Sequence, residues 1–221
     1  MSATNLLPVD LLPELAVFPL PRVVFFPGTS LPLHIFEPRY RQMIADALAG
    51  DRLIGMVLLR PGHDADSAER PPIYSVGCTG LITHAERLDD GRFNLVLRGL
   101  EKFTLIGEED PAIGQLYRRA IITPVDETVS QLEREPLKLA RRKLEGLLEP
   151  LFEGTMESRL PQNMPDDDLI NALAQYLDFD PLEKQALLER LGPLARCQSM
   201  IELLEMKALL KHSAGDAGLV H

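Results

Sequence analysis

The hydrophobic pattern of this chain changes its period once, near residue 126, and that change constrains the fold more than any other feature. Before it, short apolar runs are separated by prolines, glycines and acidic turns, as in β-strands. After it, leucines recur every three or four residues, as in amphipathic helices. We therefore predict an α+β protein, with a small antiparallel β-barrel in residues 1–125 and a helical bundle in residues 126–213. Residues 214–221 are predicted to form a disordered tail.

About seven short strands are expected in the first part of the chain. The segments LAVFPL (15–20) and RVVFF (22–26) are broken by prolines. Because proline lacks the N–H that a central strand needs, we expect these segments to be edge or bent strands. The pair Asp90-Gly91, between two alternating runs, predicts a hairpin. Gly99, inside the run that follows, leaves room for a bulge.

One helix is predicted to interrupt the strands, at the stretch LPLHIFEPRYRQMI (31–44). Pro38 suits the first helical position, where its missing N–H removes no hydrogen bond. The helical spacing that follows places Tyr40 on the buried side. Glu37 precedes the helix, where negative charge favours the positive helix end. Arg39 is expected to face solvent or to pair with a nearby acid.

Charge and composition restrict the partners and the compartment. The net charge is −10 and basic residues cluster only at 118–119 and 141–143, so no nucleic-acid partner is expected. No apolar run approaches 18 residues and the start of the chain carries no basic region, so neither a membrane span nor a signal peptide is expected. The two cysteines, Cys78 and Cys197, are far apart, which favours a reducing compartment and hence the cytoplasm.

Common catalytic motifs are absent from the sequence. There is no Gly-Lys pair for a phosphate-binding loop, and neither G-x-S-x-G nor H-E-x-x-H occurs. The five histidines are dispersed, so we expect no metal site and no cofactor. Cys78 and His84 have the same parity on a predicted strand, but six residues along a strand span roughly 20 Å, too far for proton transfer. Cys78 is therefore predicted to be a core residue.

Three segments in fixed order carry a resemblance to a known family: LAVFPLPRVVFFPGTSLPLHIFEPRYRQMIADAL (15–48), YSVGCTGLITHAERLDDGRFNLVLRGLEKFTLI (74–106) and LAQYLDFDPLEKQALLERL (173–191). They are similar to the N-terminal, substrate-recognition domain of Lon, the ATP-dependent protease. The resemblance covers roughly residues 15–210. It implies a PUA-like β-barrel with one inserted helix, followed by a helical bundle.

The resemblance also implies a function. Lon continues into an ATPase and a Ser-Lys protease, and neither the nucleotide loop nor that dyad is found in these 221 residues. The chain therefore resembles a stand-alone Lon substrate-binding-domain protein, a non-catalytic module for unfolded or exposed polypeptide segments. An adaptor role in protein quality control, with Lon or another protease as a further partner, is the corresponding expectation.

The peptide is expected either in a groove between barrel and bundle or along the proline-bent strands near residues 15–26. For several candidates a purely architectural role stays open, such as core packing for the apolar ones and a partly buried, hydrogen-bonded position for His34. The candidate contact residues are Val24, Phe25, Phe26, His34, Glu37, Arg39 and Arg98.

Two other functions stay open at this point. A small-molecule enzyme would require His34, Glu37 and Arg98 to converge on one enclosed pocket. An RNA-binding protein would use the PUA-like barrel, although the net charge of −10 and the lack of an aromatic and basic surface pattern count against it.

Overall fold

The computed structural model describes residues 14–62, 70–149 and 164–216. Its elements follow one another in the order β1 (Glu14–Leu20), β2 (Ser30–Ile35), α1 (Pro38–Ala49), β3 (Leu53–Leu58), β4 (Val76–Arg87), β5 (Phe93–Glu108), β6 (Arg118–Val125), α2 (Arg134–Leu148), α3 (Asp166–Tyr176), α4 (Pro181–Leu188) and α5 (Gly192–Asp216).

The strands form one mixed sheet in the order β2-β5-β4-β3-β1-β6, and β5 also pairs with β6, so the hydrogen bonds close into a ring. Neighbouring strands are antiparallel except β1 and β3, which are parallel over Val17–Leu20. The predicted α+β class is confirmed, but the expectation of a wholly antiparallel sheet is wrong for that pair. Parallel neighbours require a crossover connection, and the segment containing β2 and α1 supplies it.

Of the two alternatives predicted for the segment 15–20, an edge strand or a bent strand, the edge position is wrong for β1. Residues Glu14–Val17 pair with β6, and Val17–Leu20 pair with β3, so β1 lies between two strands. Pro19 is in the second half, where only β3 is a partner. Its missing N–H can therefore point away from the ladder, which is how a proline is accommodated inside this sheet.

The connection from β1 to β2 crosses β5 at Gly99. A Cβ atom at residue 99 would overlap the carbonyl oxygen of Phe26. Gly28 N donates to Gly99 O at 3.0 Å, and Gly99 N donates to Thr29 O at 2.9 Å. The predicted strand at 22–26 is thus an irregular connection packed against β5. A register shift lies beside Gly99, which confirms the predicted bulge.

The helix and the hairpin that the sequence predicts are both present. Helix α1 begins at Pro38 and buries Tyr40 on its inner face. The turn between β4 and β5 is closed by Leu88 N donating to Arg92 O at 2.9 Å. Gly91 has φ of 80° there, a conformation that glycine adopts without strain.

Alternation along the strands places apolar side chains in two clusters. The larger cluster gathers even-numbered residues of β1 and β3, inward residues of β2, β4 and β5, and the buried side of α1. The smaller cluster consists of Leu15, Val17, Val57, Phe103, Ala120 and Ile122. Because β1 and β3 contribute to both clusters, they are buried on both faces, which explains their continuous apolar sequences.

The chain divides into two compact units. The first runs through Asp126 and also includes Asp180–Leu188, so α4 belongs to the unit that contains the sheet. Within that unit, Gln185 Nε2 of α4 donates to Val76 O at 3.1 Å. The second unit comprises 127–179 and the chain from residue 189. None of the helices described here is both long and apolar enough to cross a membrane.

A buried charge holds the second unit together. Arg196 of α5 is fully buried; it donates to Glu127 Oε1 at 2.7 Å and to Asn171 Oδ1 at 2.5 Å. Glu127 Oε1 also accepts from Gly192 N at 3.3 Å, at the start of α5. A buried guanidinium is tolerated only when it is paired and hydrogen-bonded, so these contacts fix α3 and α5 relative to each other.

We expect Gly99→Ala to destabilise the protein by about 1–3 kcal/mol, because the new methyl group must displace the backbone of Phe26. The matched control is Gly107→Ala in the same strand, where an added Cβ meets nothing within 4 Å. Urea unfolding monitored by circular dichroism compares the two variants. Equal midpoints for both would contradict the proposed close packing at Gly99.

We expect Arg196→Ala to reduce the free energy of unfolding by about 3–5 kcal/mol, because it leaves Glu127 without its buried partner. Arg142→Ala removes an exposed arginine from the same unit and should change stability by less than about 0.5 kcal/mol. Thermal unfolding of both variants measures the difference. A small effect at Arg196 would show that this buried pair is not needed for folding.

Candidate functional site

Strands β2, β5 and β4 share one solvent-facing surface, where several polar side chains meet. In β2, Leu33 and Ile35 turn toward the core while Pro32 and His34 are exposed. The registers align this outward row with rows on β5 and β4. We call the aligned residues the outer face: Ser30, Pro32, His34, Asn94, Val96, Arg98, Leu81, His84 and Glu86.

His34 is the centre of a hydrogen-bonded chain on the outer face. Its Nδ1 lies 2.8 Å from Asn94 Oδ1, and its Nε2 lies 3.2 Å from Arg92 Nη1. Because an amide oxygen only accepts and a guanidinium only donates, Nδ1 carries the proton and Nε2 accepts. Asn94 Nδ2 donates to Glu86 Oε2 at 3.2 Å. The predicted hydrogen bonding of His34 is confirmed, but its predicted partial burial is wrong, since the side chain is exposed.

Arg92 is held in place by Asp90, at the hairpin turn. Asp90 Oδ1 accepts from the Arg92 backbone N–H at 3.0 Å, and Asp90 Oδ2 accepts from Arg92 Nε at 2.6 Å. The backbone hydrogen bond, followed by the contact with the guanidinium, holds the pKa of Asp90 below its usual value. Arg41 of α1 lies against the same turn, at Gly91. Charged contacts therefore link α1, the hairpin and the outer face.

Arg98 lies on the outer face but not beside His34. It is exposed on β5, four residues from Asn94, which is the cross-strand partner of His34. Four residues along a strand correspond to roughly 13 Å. His34, Glu37 and Arg98 therefore do not converge on one enclosed pocket, which is the arrangement that the enzyme hypothesis requires.

Glu37 and Arg39 form an ion pair with each other at the junction between β2 and α1. Glu37 Oε2 accepts from Arg39 Nε at 2.9 Å and from Arg39 Nη2 at 2.6 Å. The Arg39 guanidinium also lies over the ring of Tyr40, 4.6 Å from its centre. The expectation that Arg39 pairs with a nearby acid is confirmed. The Glu37 side chain makes no hydrogen bond that caps the helix.

Val24, Phe25 and Phe26 are buried, with exposures of 3%, 1% and 0%. The hypothesis that they form an exposed binding surface is wrong, and core packing is the correct alternative. The reason is that the connection in which they lie is pressed between β5 and the core instead of forming a strand at the edge.

The side of β2 that faces away from β5 was not identified from the sequence. In the described part of the chain, no strand pairs with it. Gly99 N donates to Thr29 O, so Thr29 and Gly99 form a hydrogen-bonded pair next to β2. Such pairs alternate along an antiparallel ladder, so the odd-numbered residues of β2 bond to β5. The backbone polar groups of the even-numbered residues Pro32 and His34 therefore point away from β5. We call this side the outer edge of β2. Pro32 is the sequence signal for it, since a proline inside a strand favours an edge.

Cys78 and His84 lie on opposite faces of β4. A register shift between Ile82 and His84 turns the histidine outward, whereas Cys78 is fully buried. The predicted core role of Cys78 is confirmed, and the shared face is wrong because the bulge reverses the alternation. Within the described ranges, no group of three or more His, Cys, Asp or Glu side chains is placed to hold a metal ion.

Comparison with known proteins gives a match to one family over most of the chain. The model of the ATP-dependent protease La (LON) substrate-binding domain matches residues 14–206. Lon protease 2 of Myxococcus xanthus is 29% identical over 217 residues, which are 94% of this chain and 25% of that protein. Lon protease of Anaeromyxobacter dehalogenans is 28% identical over 207 residues, 90% of this chain and 24% of that protein. The chain thus spans about a quarter of the length of these relatives.

Two solved structures share the fold. A Lon N-terminal domain protein from Xanthomonas campestris superposes with a TM-score of 0.59 at 20% identity, covering 86% of this chain and 98% of the other. The N-terminal domain of a Mycobacterium avium complex Lon protease superposes with a TM-score of 0.61 at 17% identity, covering 87% and 98%. The α+β architecture is therefore that of Lon N-terminal domains.

We expect neither cysteine of the native protein to react with a thiol reagent at pH 8. Both cysteines are buried. Burial, together with the nearby carboxylates of Asp166 and Glu145, raises the pKa of Cys197 to about 11. At pH 8, about one molecule in a thousand therefore carries the reactive thiolate at Cys197. Reaction with Ellman's reagent, followed in the variants Cys78→Ala and Cys197→Ala, assigns each thiol. Labelling much faster than unfolding would show that a cysteine is accessible.

Proposed function

We propose that this chain, which belongs to the family of ATP-dependent protease La (LON) substrate-binding domains, is a non-catalytic module that binds exposed segments of other polypeptides. Family membership supports the binding of polypeptide substrates. The outer edge of β2 supports the manner of binding, because an extended segment adds to such an edge through main-chain hydrogen bonds. Main-chain recognition is independent of sequence, as a receptor for unfolded chains requires.

The proposed binding site for the partner polypeptide is the outer edge of β2, and not the strands near residues 15–26. On that edge, His34 offers both its N–H and its carbonyl, while Pro32 offers only its carbonyl. A strand added there continues the sheet next to β5, and alternate side chains of the partner then lie beside Pro32 and His34. The neighbouring outer face is mixed in character, with Val96 next to Asn94 and Arg98, which suits partners of varied sequence.

A wider role in protein quality control follows from the same proposal. The relatives named above are Lon proteases, and this chain matches about a quarter of each. We infer that the module presents its polypeptide partner to a protease, either Lon or another, as an adaptor. The cytoplasm is the proposed compartment, because both cysteines are free thiols and buried.

The direct test is a backbone change on the outer edge of β2. His34→Pro removes the outward N–H, and His34→Ala removes only the side chain, so the pair separates main-chain from side-chain contributions. The probe is fluorescein-labelled α-lactalbumin that has been reduced and carboxymethylated, so that it stays unfolded. We expect His34→Pro to weaken its binding about tenfold, measured by fluorescence anisotropy, and His34→Ala to weaken it by less than about threefold.

Circular dichroism and thermal unfolding of both variants test whether the sheet is retained. If the wild-type protein binds native and unfolded α-lactalbumin equally, or binds neither, the proposed function fails. If both His34 variants lose the same affinity, binding depends on the side chain, and strand addition at this edge is wrong.

A further inference from the structure

Arg98 is an exposed cation on the outer face that has no acid of its own. Among the described residues it forms neither an ion pair nor a side-chain hydrogen bond. Other arginines of the same unit are matched: Arg39 pairs with Glu37 at 2.6 Å, and Arg92 pairs with Asp90 at 2.6 Å. Because a guanidinium stays charged at any physiological pH, Arg98 presents an uncompensated positive charge.

The acids of the chain that lie nearest to Arg98 along the sheet are too distant to neutralise it. Glu86, the acid of the outer face, is aligned with Asn94, four residues or roughly 13 Å along β5. The exposed Glu101 follows Arg98 by three residues, roughly 10 Å. Charges at the surface are screened over about 8 Å at physiological ionic strength. Arg98 therefore acts locally as a cation, although the net charge of the chain is −10.

The register leaves the way from Arg98 to the outer edge of β2 almost open. Arg98 lies directly opposite Ser30, which is exposed and has a short side chain. A strand added at the outer edge would lie two strand spacings from β5, or about 10 Å. Long side chains interact across more than one adjacent position of a sheet, so an arginine and an acidic side chain can meet above Ser30. Further along β2, the rings of Pro32 and His34 occupy the corresponding place.

The surroundings of Arg98 make the charge of the partner residue matter. Its cross-strand neighbour on β4 is the half-buried Leu81, and the exposed Leu100 follows on β5. Apolar neighbours suit the aliphatic part of the arginine, while the guanidinium stays in water. A segment bound at the edge would remove part of that water, and a charge that loses water without gaining an acid is unfavourable. A carboxylate in the bound segment avoids this cost through a charge-assisted hydrogen bond.

From these observations we propose that Arg98 selects polypeptide segments that carry an aspartate or glutamate at the position beside Ser30. The proposal rests on the proposed function and adds a sequence preference to it. Main-chain pairing with β2 selects no particular residue, whereas Arg98 favours an acid at one position and disfavours a base there. This preference also fixes the register in which the partner adds to the edge.

The test uses short peptides of alternating threonine and valine with blocked ends and a tetramethylrhodamine label. One guest residue, Glu, Gln or Lys, is placed at each position in turn, and binding is followed by fluorescence anisotropy. For the wild-type protein we expect one position at which Glu binds about threefold more tightly than Gln and Lys about threefold more weakly. The preference should decline as sodium chloride is added.

Variants of Arg98 separate its charge from other effects. Arg98→Lys should retain the preference for Glu, Arg98→Gln should abolish it, and Arg98→Glu should invert it in favour of Lys. The affinity for the Gln peptide should stay the same in all of them. The matched control is Arg87→Glu, which makes the same charge change at an exposed position six residues along β4 from Leu81, roughly 20 Å away, and should retain the preference.

Each outcome decides the proposal. Equal binding of the Glu, Gln and Lys peptides, or a preference for Glu that survives in Arg98→Glu, overturns the role of Arg98 and leaves the proposed function intact. An equal loss of preference in Arg87→Glu shows a general effect of charge and also overturns it. If no peptide binds but unfolded α-lactalbumin does, only the role of Arg98 fails. If neither binds, the proposed function fails as well.

Discussion

The close approach of two backbones at Gly99 is the contact on which the rest of the sheet unit depends. The carbonyl of Phe26 occupies the space that a side chain at residue 99 would fill. Immediately after Phe26 in the chain, the backbone of Gly28 and Thr29 is hydrogen-bonded to the backbone of Gly99. This crossing presses Phe25 and Phe26 into the interior. It also sets the register of β2 on β5, and the register decides which backbone groups of β2 face outward. One glycine thus connects the core to the proposed binding edge.

Local features of the fold are readable in the sequence, whereas pairing between distant strands is not. Pro38 and the spacing after it predict α1, and Asp90-Gly91 predicts the hairpin, because both signals act within a few residues. The parallel pairing of β1 with β3 and the closure of β6 on β5 join segments far apart in the chain. Alternation indicates which face of a strand is buried but does not indicate its neighbours, so the strand order and the parallel pair could not be predicted.

The candidate site shows the same division between local and long-range information. The Glu37–Arg39 pair joins residues two apart in the chain, so sequence neighbours predict it. That His34 is hydrogen-bonded follows from its chemistry, but its partners Asn94 and Arg92 are distant in the chain and could not be predicted. Exposure is harder to predict, because Pro19 and Pro32 give the same edge signal. Only pairing distinguishes them: β1 pairs with β6 in its first half and with β3 in its second half, whereas β2 has β5 alone among the described strands. The apolar run at residues 24–26 was wrongly predicted to be exposed for the same reason, because its burial depends on contacts with segments distant in the chain.

A strand edge to which no described strand pairs also invites unwanted association, and β2 has features that limit it. The strand has six residues, and Pro32 removes an outward N–H near its middle. At the edge itself, His34 presents a polar side chain that is held by hydrogen bonds to Asn94 and Arg92. A partner strand therefore gains few main-chain bonds, and its affinity must come partly from side chains placed nearby. On the proposed mode of binding, the small number of main-chain bonds gives short-lived complexes, as a module that passes its partner to a protease requires.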